Sequence, residues 1–302
     1  MPSQLPLRRA VDPLSMMDRN RTLLTDTACF AYKESDGVDM KAYVFPVPGE
    51  VPPEGRSAIL CFYSSTWDSG LVSQFAPHCL YFANRGMQPF IFDYRITSRF
   101  PAATPGDAIS DARSAVRWVR RHCEHFGVRS DGIVACGAAA GAHAALACTL
   151  LADFDDPADD INISCSPNAF VLFNPILDLS SKGIGHSKFP DRKMARRADL
   201  MKHLRRRLPP MIIFHGTADR VVPFENSQRF SRKMWWRGNT CKLRPFETQG
   251  HGFFNFNVNP RFYEQTLVEA DELLTDKKFL QPLPEDEAAP RLTGDGRFHR
   301  TD

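Results

Sequence analysis

The sequence predicts a single α/β domain with a mostly parallel central sheet and helices on both faces. Three observations support this prediction. Short apolar runs alternate with longer segments of helical periodicity, as they do when helices connect parallel strands. The length of 302 residues suits one such core with extensions. A hydrophobic content of 43% beside 24% charged residues is ordinary for a folded globular protein and excludes disorder throughout.

The chain opens with residues 1–26, which mix prolines, arginines and methionines without a period. We interpret them as an N-terminal extension and residues 27–279 as the α/β domain. The domain begins with a predicted hairpin of strands 28–32 and 38–45, joined by the turn-forming sequence Ser35-Asp36-Gly37. A loop over 46–55 follows.

The remaining strands are short and apolar, as strands covered on both faces must be. They are residues 58–63, 89–94, 132–136, 170–173, 211–215 and 241–246. Segments 72–84 and 107–126 have helical spacing, and Gly127 is predicted to end the second helix. The last strand and helix, over roughly residues 261–275, close the domain before a polar C-terminal tail, 280–302.

Residues 180–207 break the alternation and are rich in lysine and arginine. We interpret them as a small lid-like insertion above the sheet. A run of charges is most often a solvated face, but these cations could also attract an anionic ligand.

Composition limits the classes of partner. The formal net charge of +3 is small and the cations are scattered, so we predict neither nucleic-acid nor membrane binding. The eight cysteines form no C-x-x-C pair and are interpreted as free, buried thiols, with Cys61, Cys136 and Cys148 in apolar runs. No metal cluster or phosphate-binding glycine loop is present, so no metal or cofactor is predicted. The sequence leaves the oligomeric state open.

Two observations bear on location. Residues 1–20 lack the continuous apolar stretch of a secretory signal, and free thiols suit a reducing compartment, so we expect a cytoplasmic protein. The most membrane-like window, 133–152, is interrupted by Gly137, Gly141 and His143. That window suits a buried strand, a tight turn and a helix better than a transmembrane span.

The sharpest local motif is the segment Gly132-Ile-Val-Ala-Cys-Gly137-Ala-Ala139-Ala-Gly141, a strand that enters a helix through a tight turn. In such an elbow the central residue is held under strain. The positions two before and two after it approach other backbone too closely for a side chain. The motif therefore predicts an elbow centred on Ala139, where serine is the usual residue.

This segment resembles the α/β-hydrolase family, in particular the carboxylesterases that include acetyl-esterase-like and carbohydrate-ester-cleaving enzymes. The resemblance covers about residues 58–275. The elbow of that branch commonly reads G-G-S-A-G-G-H, and this chain has Gly-Ala-Ala-Ala-Gly-Ala-His over 137–143. It implies that Ala139 occupies the nucleophile position without a hydroxyl, that Asp219 in loop 214–223 is the acid, and that His251 in loop 249–253 is the base.

The family's oxyanion loop typically reads H-G-G-G-W, whereas this chain has Tyr63-Ser64-Ser65-Thr66-Trp67. The resemblance implies backbone N–H donors at Ser64 and Ser65, with another at Ala140. The serine side chains restrict φ and occupy space that an acyl group needs. The resemblance also implies a small-molecule acyl ester or related ligand, including carbohydrate esters, bound near Tyr63, Trp67 and the lid.

Three hypotheses follow. Ala139 offers no oxygen for His251 to deprotonate, so the first is a natural esterase-like protein that is hydrolytically inactive and keeps its pocket. The second is an active carboxylesterase whose serine was replaced deliberately at position 139. The third is a non-covalent enzyme in which Asp219 and His251 activate a bound water.

Two other residues are candidates for a substitute nucleophile. Cys136 is expected to point from a buried strand, and Ser64 could serve only if His251 were re-aimed. Neither is predicted to replace the missing hydroxyl.

Overall fold

The computed structural model describes residues 22–180, 183–283, 291–292 and 298–299. Most of the predicted N-terminal extension and of the C-terminal tail lies outside these residues. One sheet contains the strands β1 (Ala28–Ser35), β2 (Val38–Val44), β3 (Arg56–Ser65), β4 (Gln88–Phe92), β5 (Val128–Ala138), β6 (Ala169–Phe173), β7 (Met211–Gly216) and β8 (Cys241–Phe246). The helices are α1 (Ala76–Asn84), α2 (Pro105–Arg121), α3 (Ala139–Leu150), α4 (Arg192–Ala198), α5 (Phe224–Trp236) and α6 (Pro260–Asp276).

The sheet has eight strands in the order β1-β2-β4-β3-β5-β6-β7-β8. Strands β1, β2 and β4 pair antiparallel, and β4, β3, β5, β6, β7 and β8 run parallel to their neighbours. With helices on both faces, this is the mostly parallel α/β architecture that the sequence predicts. Two further strands, β9 (Arg291–Leu292) and β10 (Phe298–His299), pair separately.

The predicted hairpin is confirmed, and its first strand is longer than expected. Strand β1 continues to Ser35, so the turn contains only Asp36 and Gly37, whose φ angles are 52° and 74°. Two consecutive residues of positive φ suit the right-handed twist of a two-residue hairpin, and Asp-Gly is a favoured pair for it.

Each predicted central strand is present, with bounds shifted by a few residues. Every residue of β4 and β6 is buried, as expected for interior strands covered by helices on both faces. The segment predicted as the last strand and helix is entirely helical, because residues 261–275 lie within α6 and the last strand of the sheet, β8, precedes them.

The prediction that Gly127 ends the second helix is wrong. Helix α2 ends at Arg121, and Gly127, with φ 61°, belongs to a further turn in which the N–H of Val128 donates to the Cys123 carbonyl at 2.8 Å. The helix also starts earlier than predicted, at Pro105. There Thr104 and Asp107 form a reciprocal capping box.

The other predicted helix, 72–84, is divided into a 3₁₀ turn over Val72–Phe75 and helix α1. Helix α5 was not predicted from the sequence. It follows Pro223 and buries Asn226, Ser227, Phe230 and Met234.

The basic excursion between β6 and β7 contains the short helix α4, whose first turn is capped by Asp191. It packs over the loop that follows β3, where Phe189 contacts the Trp67 ring edge-on and Lys188 pairs with Asp68 at 2.6 Å. Arg197 pairs with Asp153 at 3.0 Å, so part of the charge run is neutralised internally. Its lid-like role stays a prediction.

All eight cysteines are free thiols, and Cys61, Cys136 and Cys148 are buried as predicted, whereas Cys29 is exposed. The expectation that the thiols are buried is therefore wrong for Cys29, which lies at the start of the edge strand β1. Among the described helices, none combines the length and apolar character needed to cross a membrane.

Candidate active site

The turn between β5 and α3 has the crowded geometry of the predicted elbow. Ala139 has a φ of 48°, a left-handed conformation that costs a residue with a side chain about 1–2 kcal/mol. A Cβ at Gly141 would lie 2.3 Å from the carbonyl oxygens of Phe62 and Tyr63, and one at Gly137 would lie 2.8 Å from the Ala142 nitrogen. These close approaches confirm the reason given for the two glycines.

Ala139 is fully buried and is fixed by its neighbours on two sides. Its backbone forms an isolated parallel bridge with Ser65, and its carbonyl accepts from the Ile176 N–H at 3.3 Å. Strained backbone persists only where the surrounding structure determines it, and such positions cluster at functional sites.

Asp219 and His251 meet beyond the carboxyl ends of β7 and β8. Oδ2 of Asp219 lies 2.7 Å from Nδ1 of His251, while Oδ1 accepts from the N–H groups of Val221 and Val222 at 2.8 and 2.9 Å. The Asp219 side chain is inaccessible, but that of His251 is 21% exposed. Backbone N–H groups thus hold the Asp219 carboxylate in place, and the His251 side chain is partly open to solvent.

The charge of Asp219 is stabilised despite its burial. Burial alone raises the pKa of its carboxyl. Hydrogen bonds from His215 and His251, the charge of His251 and the hydrogen bond from the Val222 N–H lower it by more, so the pKa lies well below the ordinary value. A carboxylate accepts only, so Nδ1 of His251 donates to Asp219, and Nε2 is the ring nitrogen that takes no part in this bond.

Nε2 of His251 is therefore available to act as a base. Among the described residues, the only hydrogen bond that the imidazole ring forms is the one to Asp219. The geometry therefore orients the ring with one nitrogen bonded to the acid and the other directed away from it.

Two positioning residues were not identified from the sequence. Asn174 follows β6 and is fully buried, with a φ of 41°. Its side-chain N–H donates to the His251 carbonyl at 2.5 Å, and its side-chain oxygen accepts from the Gly216 N–H at 3.1 Å. His215 lies beneath Asp219, with Nε2 2.9 Å from the Val222 carbonyl and 3.4 Å from Oδ2 of Asp219. The positive φ of Asn174 is visible only in the structure, whereas His215 lies within the acid loop that the resemblance covers.

The end of β3 is joined to the histidine loop by a chain of hydrogen bonds. The Ser64 N–H donates to Oε1 of Gln74 at 2.6 Å, Nε2 of Gln74 donates to Oδ1 of Asn255 at 3.0 Å, and Nδ2 of Asn255 donates to the Gly252 carbonyl at 3.0 Å. One of the predicted oxyanion donors is thus already bonded to a side chain of the protein.

The other candidate donors differ from Ser64. Ala140 lies in the first turn of α3, where backbone N–H groups have no partner within the helix. The hydroxyl of Ser65 is buried against the Tyr94 hydroxyl at 2.9 Å and also accepts from the Trp67 N–H.

Tyr63 and Trp67 do not present their side chains to an open pocket. Tyr63 is fully buried, stacks on Tyr94 with centroids 4.4 Å apart and donates to Oδ1 of Asp93 at 3.0 Å. Trp67 is 2% exposed and is enclosed by His143 and Phe189. The expectation that these rings line the ligand site is corrected: both are buried, because Tyr63 lies on β3, a central strand of the sheet, and Trp67 is covered by His143 and Phe189.

Cys136 does not lie at the site. It pairs in register with Cys61 on β3 and is buried, and burial with its hydrogen bond to Cys61 raises the pKa of its thiol well above the ordinary value. A buried thiol of raised pKa is a poor nucleophile. Within the described part of the chain, no group of three or more His, Cys, Asp or Glu side chains is placed to hold a metal ion.

Comparison with known proteins identifies the family and the fold. Residues 51–234 match the family model described as BD-FAE. In its apo form, the solved esterase 2 of Thermogutta terrifontis is 41% identical and superposes with a TM-score of 0.82, covering 86% of this chain and 98% of the esterase. The same esterase has been solved with propionate bound and phosphorylated by paraoxon. The similarity confirms the α/β-hydrolase fold.

Two further relatives match this chain at lower sequence identity. A probable isoprenylcysteine alpha-carbonyl methylesterase of Arabidopsis thaliana, ICMEL1, is 30% identical over 183 residues, and esterase LipQ of Mycobacterium tuberculosis is 27% identical over 151 residues. The matched segments cover 53% and 44% of this chain but only 37% and 35% of those relatives. This chain therefore spans about a third of each relative's length.

Proposed function

The chain belongs to the BD-FAE family of α/β-hydrolase esterases, and from that premise we propose that it binds short acyl ligands at the Asp219–His251 pair without catalysing acyl transfer. One observation carries the proposal. A bonded acid–base pair lies beyond the carboxyl ends of β7 and β8, and Ala139, which directly follows β5 of the same sheet at the position that the resemblance assigns to the nucleophile, has no hydroxyl. Loss of a triad nucleophile costs on the order of 10⁶ in kcat.

The hydrogen bond of the Ser64 N–H, at the end of β3, supports the same proposal. An oxyanion site needs N–H groups that are free to receive developing negative charge. The Ser64 N–H instead donates to Gln74 at 2.6 Å, so a bound ester has to compete with an internal acceptor. The proposed loss of activity therefore has two independent causes, at residue 139 and at Ser64.

The ligand class is proposed from similarity. The solved esterase has been described with propionate and with butyrate bound, so its site accepts short acyl groups. This chain covers 98% of that esterase, and the fold places Asp219 and His251 at the ends of neighbouring strands. We propose short acyl esters, including carbohydrate esters, as ligands, and the cytoplasm as the location, which the free thiols support.

Incubation of the protein with p-nitrophenyl butyrate tests this function. We expect saturable binding with the ester recovered intact. Hydrolysis by the unmodified chain that His251→Ala abolishes would overturn the proposal. His203→Ala is the matched control, because it changes a histidine that precedes β7, whereas Asp219 follows the other end of that strand.

A second function is favoured by the intact 2.7 Å contact between Asp219 and His251. In this alternative, Nε2 of His251 removes a proton from a bound water or a substrate carbon, with no covalent intermediate. It requires a turnover in the unmodified chain that His251→Ala removes. A broad panel of esters and elimination substrates without any such turnover would exclude it.

The retained elbow strain and glycines also suit an active carboxylesterase whose serine was replaced at position 139. Sequencing of the native gene decides between the two histories. An alanine codon supports a natural loss of the nucleophile, and a serine codon makes the native protein an esterase.

A further inference from the structure

Two adjacent tryptophans project from the end of helix α5. Trp235 and Trp236 are 70% and 74% exposed, and their ring centroids lie 5.4 Å apart. The same helix is anchored by Phe230 and Met234, which are fully buried. A contiguous exposed apolar patch of this kind marks an interaction surface more often than a neutral one.

Arginines from a separate segment lie close to Arg237, the residue that directly follows these tryptophans. The loop before β7 packs on the residues after α5, because Nε of Arg237 donates to the Leu204 carbonyl at 3.0 Å and Nδ2 of Asn239 donates to the Arg205 carbonyl at 2.7 Å. Arg206, Arg207 and Arg237 consequently line one shallow groove. We call Trp235, Trp236 and these three arginines the Trp–Arg surface.

The arginines of the Trp–Arg surface have no carboxylate in their own segments. Neither 200–218 nor 226–246 contains an aspartate or glutamate. Several other arginines of the described residues pair with carboxylates of distant segments, as Arg197 does with Asp153 and Arg229 with Asp178. Among the described residues, Arg206 and Arg207 form no such pair. An anionic partner would therefore complement the surface.

We propose that the Trp–Arg surface binds the surface of an anionic lipid bilayer. Tryptophan favours the headgroup region, and each cation near a negative leaflet contributes about 1 kcal/mol, or roughly a fivefold gain in affinity. A symmetric contact with a second copy of this chain would oppose like charges. Single-stranded nucleic acid needs a groove in which bases stack in succession, whereas this tryptophan pair projects from a helix end.

The proposed surface lies at the opposite end of the sheet from the acid–base pair. Residues 204–207 precede β7 and Arg237 precedes β8, whereas Asp219 and His251 follow the carboxyl ends of those strands. Bound to a bilayer through this surface, the protein leaves His251 facing solvent. The inference replaces the expectation that the protein has no membrane partner, and it does not depend on the proposed function.

Sedimentation with vesicles tests the inference. We expect the protein to bind vesicles of phosphatidylcholine and phosphatidylserine, but not of phosphatidylcholine alone, and to be released by high salt. Trp235→Ser with Trp236→Ser should weaken binding at least tenfold. Arg206→Gln with Arg207→Gln should weaken it about 25-fold, at fivefold for each charge.

Matched controls use residues of the same type elsewhere. Ile161 and Val258 are 71% and 61% exposed, and Arg192 and Lys193 are cations on the lid. Ile161→Ser with Val258→Ser should leave vesicle binding unchanged, and so should Arg192→Gln with Lys193→Gln. Equal binding to neutral vesicles, no binding, or an equal loss in the controls would overturn the inference. Binding to polyuridylate or polyglutamate in place of vesicles would also overturn it and assign the surface to another class of partner.

Discussion

At the scale of single residues, the proposed function rests on position 139, whose side chain we propose decides whether Nε2 of His251 has a hydroxyl to act on. Its backbone is already in the strained conformation of an elbow, with φ 48°. Serine in place of Ala139 therefore adds an oxygen without a new backbone cost, because both residues bear the same Cβ.

We expect Ala139→Ser to gain slow hydrolysis of p-nitrophenyl butyrate. The rate should stay low because the Ser64 N–H is bonded to Gln74. Adding Gln74→Ala to Ala139→Ser frees that donor and should raise kcat on the order of 10²-fold, the usual effect of one oxyanion donor. Steady-state kinetics of the single and double variants measure this gain.

Asn255→Ala in the Ala139→Ser background is the matched control. It breaks the same chain of hydrogen bonds but leaves the Ser64 N–H bonded to Gln74. We expect no rise in kcat. If both second-site changes raise kcat equally, or if Ala139→Ser alone is as fast as ordinary esterases, the account of the Ser64 donor is wrong.

Asp219 should make folding stability depend on pH. Its pKa is lowered in the folded state, so its contribution to the free energy of unfolding is fully present above the unfolded value of about 3.9 and is lost as pH falls toward the folded value. We expect Asp219→Asn to cost about 2 kcal/mol at neutral pH and progressively less below about pH 4.

Urea denaturation of the parent and the variant across this range measures the difference. Asp276→Asn removes a carboxyl that is 69% exposed and should show little effect at any pH. A cost for Asp219→Asn that stays constant down to about pH 2 would contradict the proposed hydrogen-bonded carboxylate.

At the scale of elements, the elbow depends on the closeness of β3 to the start of α3. Gly141→Ala would place a Cβ 2.3 Å from two backbone carbonyl oxygens, and the backbone has to move to relieve that contact. We expect a loss of at least about 2 kcal/mol in unfolding free energy, measured by chemical denaturation.

Gly250→Ala supplies the comparison, since a Cβ at that position has nothing within 4 Å and its φ is not left-handed. Its stability should stay within about 0.5 kcal/mol of the parent. Equal stability of the two variants would show that the elbow is not crowded.

The elements that sequence predicts well are those whose pattern reflects burial. The central strands are apolar at nearly every position because helices cover both faces. Helix α5 was not predicted because its sequence lacks a clear apolar face. Two of its buried residues, Asn226 and Ser227, are polar, and Trp235 and Trp236 at its end are exposed. Its apolar stripe is therefore blurred.

The candidate site was predictable where motifs carry it and not where distant loops meet. The resemblance of their loops to the esterase family indicates Asp219 and His251, and in the structure Oδ2 and Nδ1 of the two side chains lie 2.7 Å apart. The bonds of Gln74 to Ser64 and Asn255, and of Asn174 to His251, join segments up to 181 residues apart. No periodicity in one segment indicates such a contact.

At the scale of the whole molecule, the two ends of the sheet differ in character. The carboxyl ends of β5, β7 and β8 lead to the elbow and the acid–base pair, and the amino ends of β7 and β8 adjoin the Trp–Arg surface. A net charge of only +3 does not reveal this arrangement, because 35 aspartates and glutamates along the chain offset most of the 38 lysines and arginines. Charge distribution, not net charge, determines which surface attracts an anionic partner.

The central claim is that this esterase fold has no nucleophile for its acid–base pair. Intact-mass analysis after incubation with paraoxon tests it most directly, because paraoxon phosphorylates the related Thermogutta terrifontis esterase. We expect no mass increase for the unmodified chain and one diethylphosphoryl adduct, at position 139, for Ala139→Ser. An adduct on a serine, threonine or cysteine of the unmodified chain that His251→Ala prevents would contradict the account.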